Sequence, residues 1–267
     1  MKQYTFSIIL PVHATTDEKV KQLTRAIASI KNQTYPKDLL ELIIVNDGST
    51  VPVKIPKDKW IRVINQPNMQ RITAYQTGFE HARYEVFFLL DSDDKYVGTY
   101  LEKVNQLCND YPDYSMFNFG SIHIHKDGRE TMRDPFEPKE LEVGHEIFGG
   151  GNIVNGTFVF KKEVFDKLGA FPQPIIKNID CTELNYPAGG SMIRELTVAS
   201  PYDFSAYAQI EFPEIRQYFM VDVESEPNKV IKELGNPFGQ DYYLFYKYTR
   251  KYKSKPIKEY LYIVYHR

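Results

Sequence analysis

Short apolar runs alternate with 3.6-residue periodicities along the first 110 residues. Thr5-Phe6-Ser7-Ile8-Ile9-Leu10 reads as a buried strand. Thr15 and Glu18 then form a capping box. Val20, Leu23, Ile27 and Ile30 follow at helical spacing, so an amphipathic helix is predicted, stopped at Tyr35-Pro36. Leu42–Val45 and Ile61–Ile64 read as the next two strands. A helix through Ile72, Tyr75, Phe79 and Ala82 separates them from a fourth strand, Val86–Leu90. Leu101, Val104 and Cys108 mark a further helix. Strands that alternate with helices pair in parallel, because a parallel connection needs a long crossover. Buried parallel strands are continuous apolar runs, as these are.

Three of the strands end in polar groups: Pro11-Val12-His13, Asn46-Asp47-Gly48-Ser49 and Asp91-Ser92-Asp93-Asp94. A parallel arrangement delivers all three to one edge of the sheet, where ligands of open α/β folds bind. The second half is less regular. Thr157–Phe160 reads as a strand and Lys162–Leu168 as a helix closed by Gly169. Residues 173–239 hold 10 acidic and 5 basic residues with several prolines and no clear period. Residues 242–267 reverse that balance, with seven Lys or Arg, one Glu and eight Tyr. That end reads first as a tyrosine-lined helix packed on the domain. The second reading is a peripheral contact with an anionic membrane surface.

Charge and cysteine content narrow the classes. Lys plus Arg is 33 and Asp plus Glu is 35, a net charge of −2, which argues against a nucleic-acid coat. Cys108 and Cys181 are too few for a disulfide scaffold or a four-cysteine zinc site. No leader pattern and no run long enough to cross a bilayer is seen, so the expectation is a cytoplasmic protein.

Asp91-x-Asp93 is the most informative motif. Two carboxylates just past a strand suit a hard divalent cation that shares its shell with phosphate oxygens. Taken alone, the same pair is an ordinary N-cap or acidic turn. Asp47 is placed to accept the imide N–H of a pyrimidine, although Asn-Asp-Gly-Ser is also plain turn chemistry. Other chemistries lack their motifs. Gly149–Gly151 precedes no Gly-Lys-Ser/Thr, there is no Gly-x-Gly-x-x-Gly after the first strand, and no Gly-x-Ser-x-Gly occurs. His145-Glu146 lacks a second zincin histidine, and His123 and His125 share one strand face as structural residues.

In order and together, these pieces resemble the inverting family 2 glycosyltransferases of the GT-A fold. Ile8-Ile9-Leu10-Pro11-Val12-His13 is similar to the family's opening strand and loop, with His13 and Ala14 in place of Tyr and Asn. Ile43–Thr50 is similar to the Val-Asp-Asp-Gly-Ser motif, with Asn46 for the first Asp. Asn68, Ala74, Gly78 and Ala82 fit the spaced residues before the fourth strand, where Tyr75-Gln76 stands for the usual Arg-Asn. Phe88–Asp94 resembles the metal motif, and Gln240-Asp241 the family's Glu-Asp.

The resemblance implies an α/β fold with a Rossmann-like, mostly parallel central sheet flanked by helices. It implies one domain over 1–267, with residues 1–95 as the nucleotide-sugar half. Residues 96–267 would be the acceptor half, with an acceptor-side insertion at about 173–239. It implies an enzyme moving a sugar from a UDP-linked or related donor to a carbohydrate or lipid-linked acceptor in polysaccharide or glycoconjugate synthesis. Pro11, Val12, His13, Asp47, Arg71, Asp91 and Ser92 would bind the donor. Asp93, Asp91 and His266 would hold Mn²⁺ or Mg²⁺, and Asp241 would be the catalytic base. A GT-A-like sugar nucleotidyltransferase is an alternative, but the loop after the first strand lacks a Gly-rich, basic triphosphate cradle. A non-catalytic sugar-binding relative is a third reading, opposed by the intact Asp91, Asp93 and Asp241.

Overall fold

The computed structural model describes residues 1–68, 70–135, 154–164 and 252–266. The chain divides into two compact units. One comprises Met1–Phe136, Val154–Ala170 and Lys251–Arg267, and holds every described residue; the other comprises Glu137–Ile153 and Phe171–Arg250. The 173–239 stretch and Asp241 belong to the second and lie outside the described residues.

The described strands form one nine-stranded sheet. In chain order they are β1 (Phe6–Val12), β2 (Leu40–Asp47), β3 (Ile61–Gln66), β4 (Val86–Leu89), β5 (Lys95–Tyr96), β6 (Met116–Ile124), β7 (Glu130–Arg133), β8 (Phe158–Lys161) and β9 (Ser254–Tyr265). The lateral order is β3-β2-β1-β4-β8-β6-β9-β5, with β7 on β6. The first four strands are parallel. The second half is mixed: β8 runs antiparallel to β4 and β6, while β9 runs parallel to β6. This is the GT-A-like α/β architecture expected from the sequence. The chain runs outward from β1 through β2 to β3 and then returns by α2 to β4 on the other side of β1, so the strand order reverses there and a crevice opens beyond the C-terminal end of β1.

Alternation along the buried strands sorts their side chains between two layers. Phe6, Ile8, Leu10 and Val12 join Leu42 and Ile44 on one face. Leu23, Ala26, Ile27 and Ile30 of α1 (Asp17–Lys31) and Leu101, Val104 and Cys108 of α3 (Tyr100–Asp110) belong to the same cluster. Ile43 and Val45 face the other way, toward Ala74 of α2 (Gln70–His81). α2 can lie this close because residue 78 is glycine: a Cβ there would come 2.2 Å from Ile9 Cγ2.

Three local expectations are corrected. The N-cap of α1 is Thr16, not Thr15: Thr16 is extended and its hydroxyl accepts from the Lys19 N–H at 3.4 Å. Glu18 then sits in the first turn, where a carboxylate complements the helix dipole. The helix also ends at Lys31, before Tyr35-Pro36, with Asn32 as its C-cap. The chain end is not a helix over its described part. Ser254–Tyr265 is the long strand β9, because β6 offers it a ladder of backbone partners from Met116 to Ile124. Among the described residues, no helix is long and apolar enough to cross a membrane.

Candidate functional site

A cleft of about 380 Å³ lies at the C-terminal ends of β1, β2 and β4. Pro11, Val12, His13, Asp47, Arg71, Asp91, Ser92 and Asp93 all line it, so the structure brings together eight of the residues singled out from the sequence. Lys19, Asn68, Ala74, Asp94, Val264 and Tyr265 complete the lining.

The β2 turn is built tightly. Gly48 has φ +68°, and a Cβ there would meet the Asn68 backbone nitrogen at 2.6 Å. The Asn46 side-chain oxygen accepts from the Ser49 N–H at 3.2 Å, closing the turn locally. The Ser49 hydroxyl accepts from the Ala14 N–H at 2.9 Å, which ties the β2 loop to the β1 loop. Asp47 is buried, and its Oδ1 accepts from Gln66 Nε2 at 2.7 Å. Gln66 Oε1 in turn accepts from the Thr77 hydroxyl at 2.7 Å. His13 Nδ1 lies 2.7 Å from the Asp47 carbonyl oxygen and therefore carries the proton. Its Nε2 lies 3.4 Å from Asn68 Nδ2. Lys19 Nζ donates to the His13 carbonyl at 3.3 Å, which places a cation in the wall of the cleft.

The acidic loop after β4 is held from three elements. The buried Tyr75 on α2 donates its hydroxyl to Asp91 Oδ1 at 2.6 Å. From β9, the Tyr262 hydroxyl donates to Asp94 Oδ2 at 2.9 Å, and the Tyr265 N–H donates to Asp94 Oδ1 at 3.1 Å. Arg25 of α1 donates through Nη2 to the Asp93 carbonyl, and its guanidinium lies 3.6 Å from the centre of the Tyr265 ring. Burial, with Asp91 and Asp93 close by, raises the Asp94 carboxyl to about 8. Three carboxyl groups in one turn repel one another when ionised, and the electrostatic strain is of the kind a bound cation relieves.

His266 is not brought to this cleft. Its N–H donates to the Ile124 carbonyl at 2.9 Å, and its Nε2 lies 2.8 Å from His123 Nδ1. The His266 ring stacks on His125 with centroids 4.7 Å apart and planes 9° from parallel. Among the described residues, no three His, Cys, Asp or Glu side chains are grouped to hold a metal ion. The oxygen donors in the cleft nonetheless suit a hard cation completed by phosphate oxygens, and Asp91 and Asp93 are the residues that would hold it.

Lys19 and Tyr262 carry no signal of a site role in the sequence. Lys19 looks like any exposed position on an amphipathic helix, and Tyr262 meets the acidic loop, and Tyr265 the cleft, only through the pairing of β9 with β5 and β6. Asp94 lies inside the Asp-Ser-Asp-Asp run, where nothing in the sequence tells it from its neighbours.

A sequence model of the family described as Glycosyl transferase family 2 matches residues 7–169. No curated protein matches the chain. Among solved structures, the chain is similar to S. aureus TarS 1-349, with 16% identity, a TM-score of 0.48, and 65% of this chain covering 52% of that one. The same protein with UDP-GlcNAc matches at 18% identity and a TM-score of 0.46, over 61% of this chain and 46% of that one. The mannosyltransferase PcManGT from Pyrobaculum calidifontis, in complex with GDP-Man and Mn2+, matches at 17% identity and a TM-score of 0.44, over 64% and 48%. The chain thus spans about half the length of the structures it matches.

Proposed function

The chain belongs to glycosyl transferase family 2, and from that membership we propose that it transfers a sugar from a nucleoside-diphosphate donor, UDP-linked in the first instance, to an acceptor hydroxyl with inversion at the anomeric carbon. The observation that carries the proposal is the convergence of Asp47, Asp91 and Asp93 from separate strand ends on one cleft that Lys19 and Arg71 also line. Carboxylates alone would repel a diphosphate. Lys19 and Arg71 line the same cleft, and a divalent ion, which Asp91 and Asp93 would hold, would supply the further positive charge a diphosphate needs.

Asp47 accepts an N–H of the base, and Pro11, Val12 and His13 wall the base and ribose. Asp91 would hold the ribose or a ligand of the ion, and Asp93 would hold the ion. A bound Mn²⁺ or Mg²⁺ supplies charge neutralisation for the departing diphosphate. Arg71 faces the diphosphate from α2. Asp241, outside the described residues, is the residue we assign to take the acceptor proton, so that the acceptor oxygen attacks the face opposite the leaving group. The acceptor is a carbohydrate or a lipid-linked sugar, reached from the cytoplasmic side.

Titration calorimetry of UDP and GDP with and without Mn²⁺ tests the donor half of the proposal. Binding is expected only with the metal, and Asp93→Ala is expected to abolish that dependence in a folded protein. Equal affinity with and without Mn²⁺ in the native protein would sink it. For the base, Asp241→Asn is expected to lower transfer by roughly 10²-fold or more while donor affinity holds. Near-native transfer by that variant would place the base elsewhere.

A further inference from the structure

Tyr75 stands where the family pattern carries a basic residue, and it is only 1% exposed. A buried phenol needs a partner for its hydroxyl. Here the partner is the Asp91 carboxylate, at 2.6 Å. That is the length of a charge-assisted O–H···O⁻ hydrogen bond, roughly twice as strong as a neutral one. We propose that Tyr75 is a positioning residue of the cleft, fixing the Asp91 carboxylate in the orientation that receives the metal–nucleotide complex; this rests on the donor-binding reading given above.

The geometry favours positioning over simple packing. α2 is seated on the sheet by other residues: Gly78 lies against Ile9, and the Phe79 ring lies 5.7 Å from that of Phe87. The Tyr75 hydroxyl therefore adds little to docking α2 and acts at Asp91. The backbone of the same residue is held independently, since the Asp91 N–H donates to the Tyr262 hydroxyl at 3.4 Å. Backbone from β9 and side chain from α2 together define where the carboxylate sits. A carboxylate that swings between rotamers must be ordered again each time a ligand binds, and a held one need not. Tyr75 thus supplies to Asp91 what Gln66 supplies to Asp47 on the other side of the cleft, a neutral donor on the carboxylate.

Tyr75→Phe removes only the hydroxyl and keeps the ring that packs. The test is a double-mutant cycle of Tyr75→Phe and Asp91→Asn, read by Mn²⁺·UDP affinity and, separately, by urea denaturation. Tyr75→Phe is expected to weaken Mn²⁺·UDP binding by roughly tenfold or more. Its effect is expected to vanish in the Asp91→Asn background, because the two changes break one hydrogen bond. Affinity within twofold of native for Tyr75→Phe, with any effect confined to stability, would overturn the proposal. So would losses of affinity that simply add. A native protein that binds neither UDP nor GDP with Mn²⁺ would instead sink the donor-binding reading. The denaturation cycle then separates the two failures: additive stabilities would overturn the Tyr75–Asp91 hydrogen bond itself, and non-additive ones would leave it as a structural contact, which overturns the positioning role.

Discussion

Single side chains in this cleft act through the groups that hold them. Asp47 is buried, accepts from Gln66 and is linked through it to Thr77. Replacing Asp47 with Ala leaves the Gln66 amide without that acceptor and removes the hydrogen bond we assign to the base. The expected loss is about 1–3 kcal/mol in nucleotide affinity, with the rate of the bound complex little changed. Donor affinity and turnover measured in one preparation check this; a fall in turnover with affinity intact would move Asp47 from binding to chemistry. Asn46 shows why residue-level reading works here. It differs from the Asp of the motif that the sequence resembles, and its side-chain oxygen accepts from the Ser49 N–H, a contact that a carboxylate can also make.

At the scale of elements, the position of α2 sets the site, since Arg71, Ala74 and Tyr75 all reach it from that helix. Gly78 is what lets α2 approach β1. Ala is the better helix former by about 1 kcal/mol, so propensity alone would make Gly78→Ala stabilising. Packing opposes it: the new methyl would sit 2.2 Å from Cγ2 of Ile9, a fully buried residue in a central strand. Overpacking of this kind costs about 1–3 kcal/mol, and it should win. Lower stability is therefore expected in urea denaturation, together with weaker nucleotide binding as α2 shifts; a stabilised variant would show that the helix docks more loosely than described. The other deciding element is β9, whose Tyr262 and Tyr265 reach the acidic loop from the far end of the chain.

Across the whole molecule, the far end of β9 carries a prediction about pH. His123 is buried beside His266 and His125 and feels the Arg133 charge, and these together lower it to about 4, burial first. His266 is lowered as well, by burial and by the same neighbours. An unfolded histidine titrates near 6.5. Between those values the unfolded chain binds the proton and the folded one does not. The stabilisation is therefore complete above about pH 6.5 and is lost as pH falls toward about 4. Denaturation midpoints at pH 7.5 and pH 5 should fall for the native protein and change less for His123→Gln; parallel falls in both would assign the effect to other groups. The sequence by itself determined the parallel half of the fold and the three strand-end loops that line the cleft. Continuous apolar runs name buried parallel strands, and three such strands ending in Pro-Val-His, Asn-Asp-Gly-Ser and Asp-Ser-Asp-Asp must present those groups at one edge. Those signals are local, each contained in a few neighbouring residues. Only the tertiary structure decided that residues 254–265 form a strand, that Tyr75 and Tyr262 hold the acidic loop, and that His266 meets His123 rather than the cleft. Each of these depends on a partner in another element, 16 residues away for Tyr75 and Asp91 and 168 for Tyr262 and Asp94. A tyrosine-rich segment is equally able to be helix or strand until the edge of β6 offers it a ladder, and periodicity carries no record of that edge.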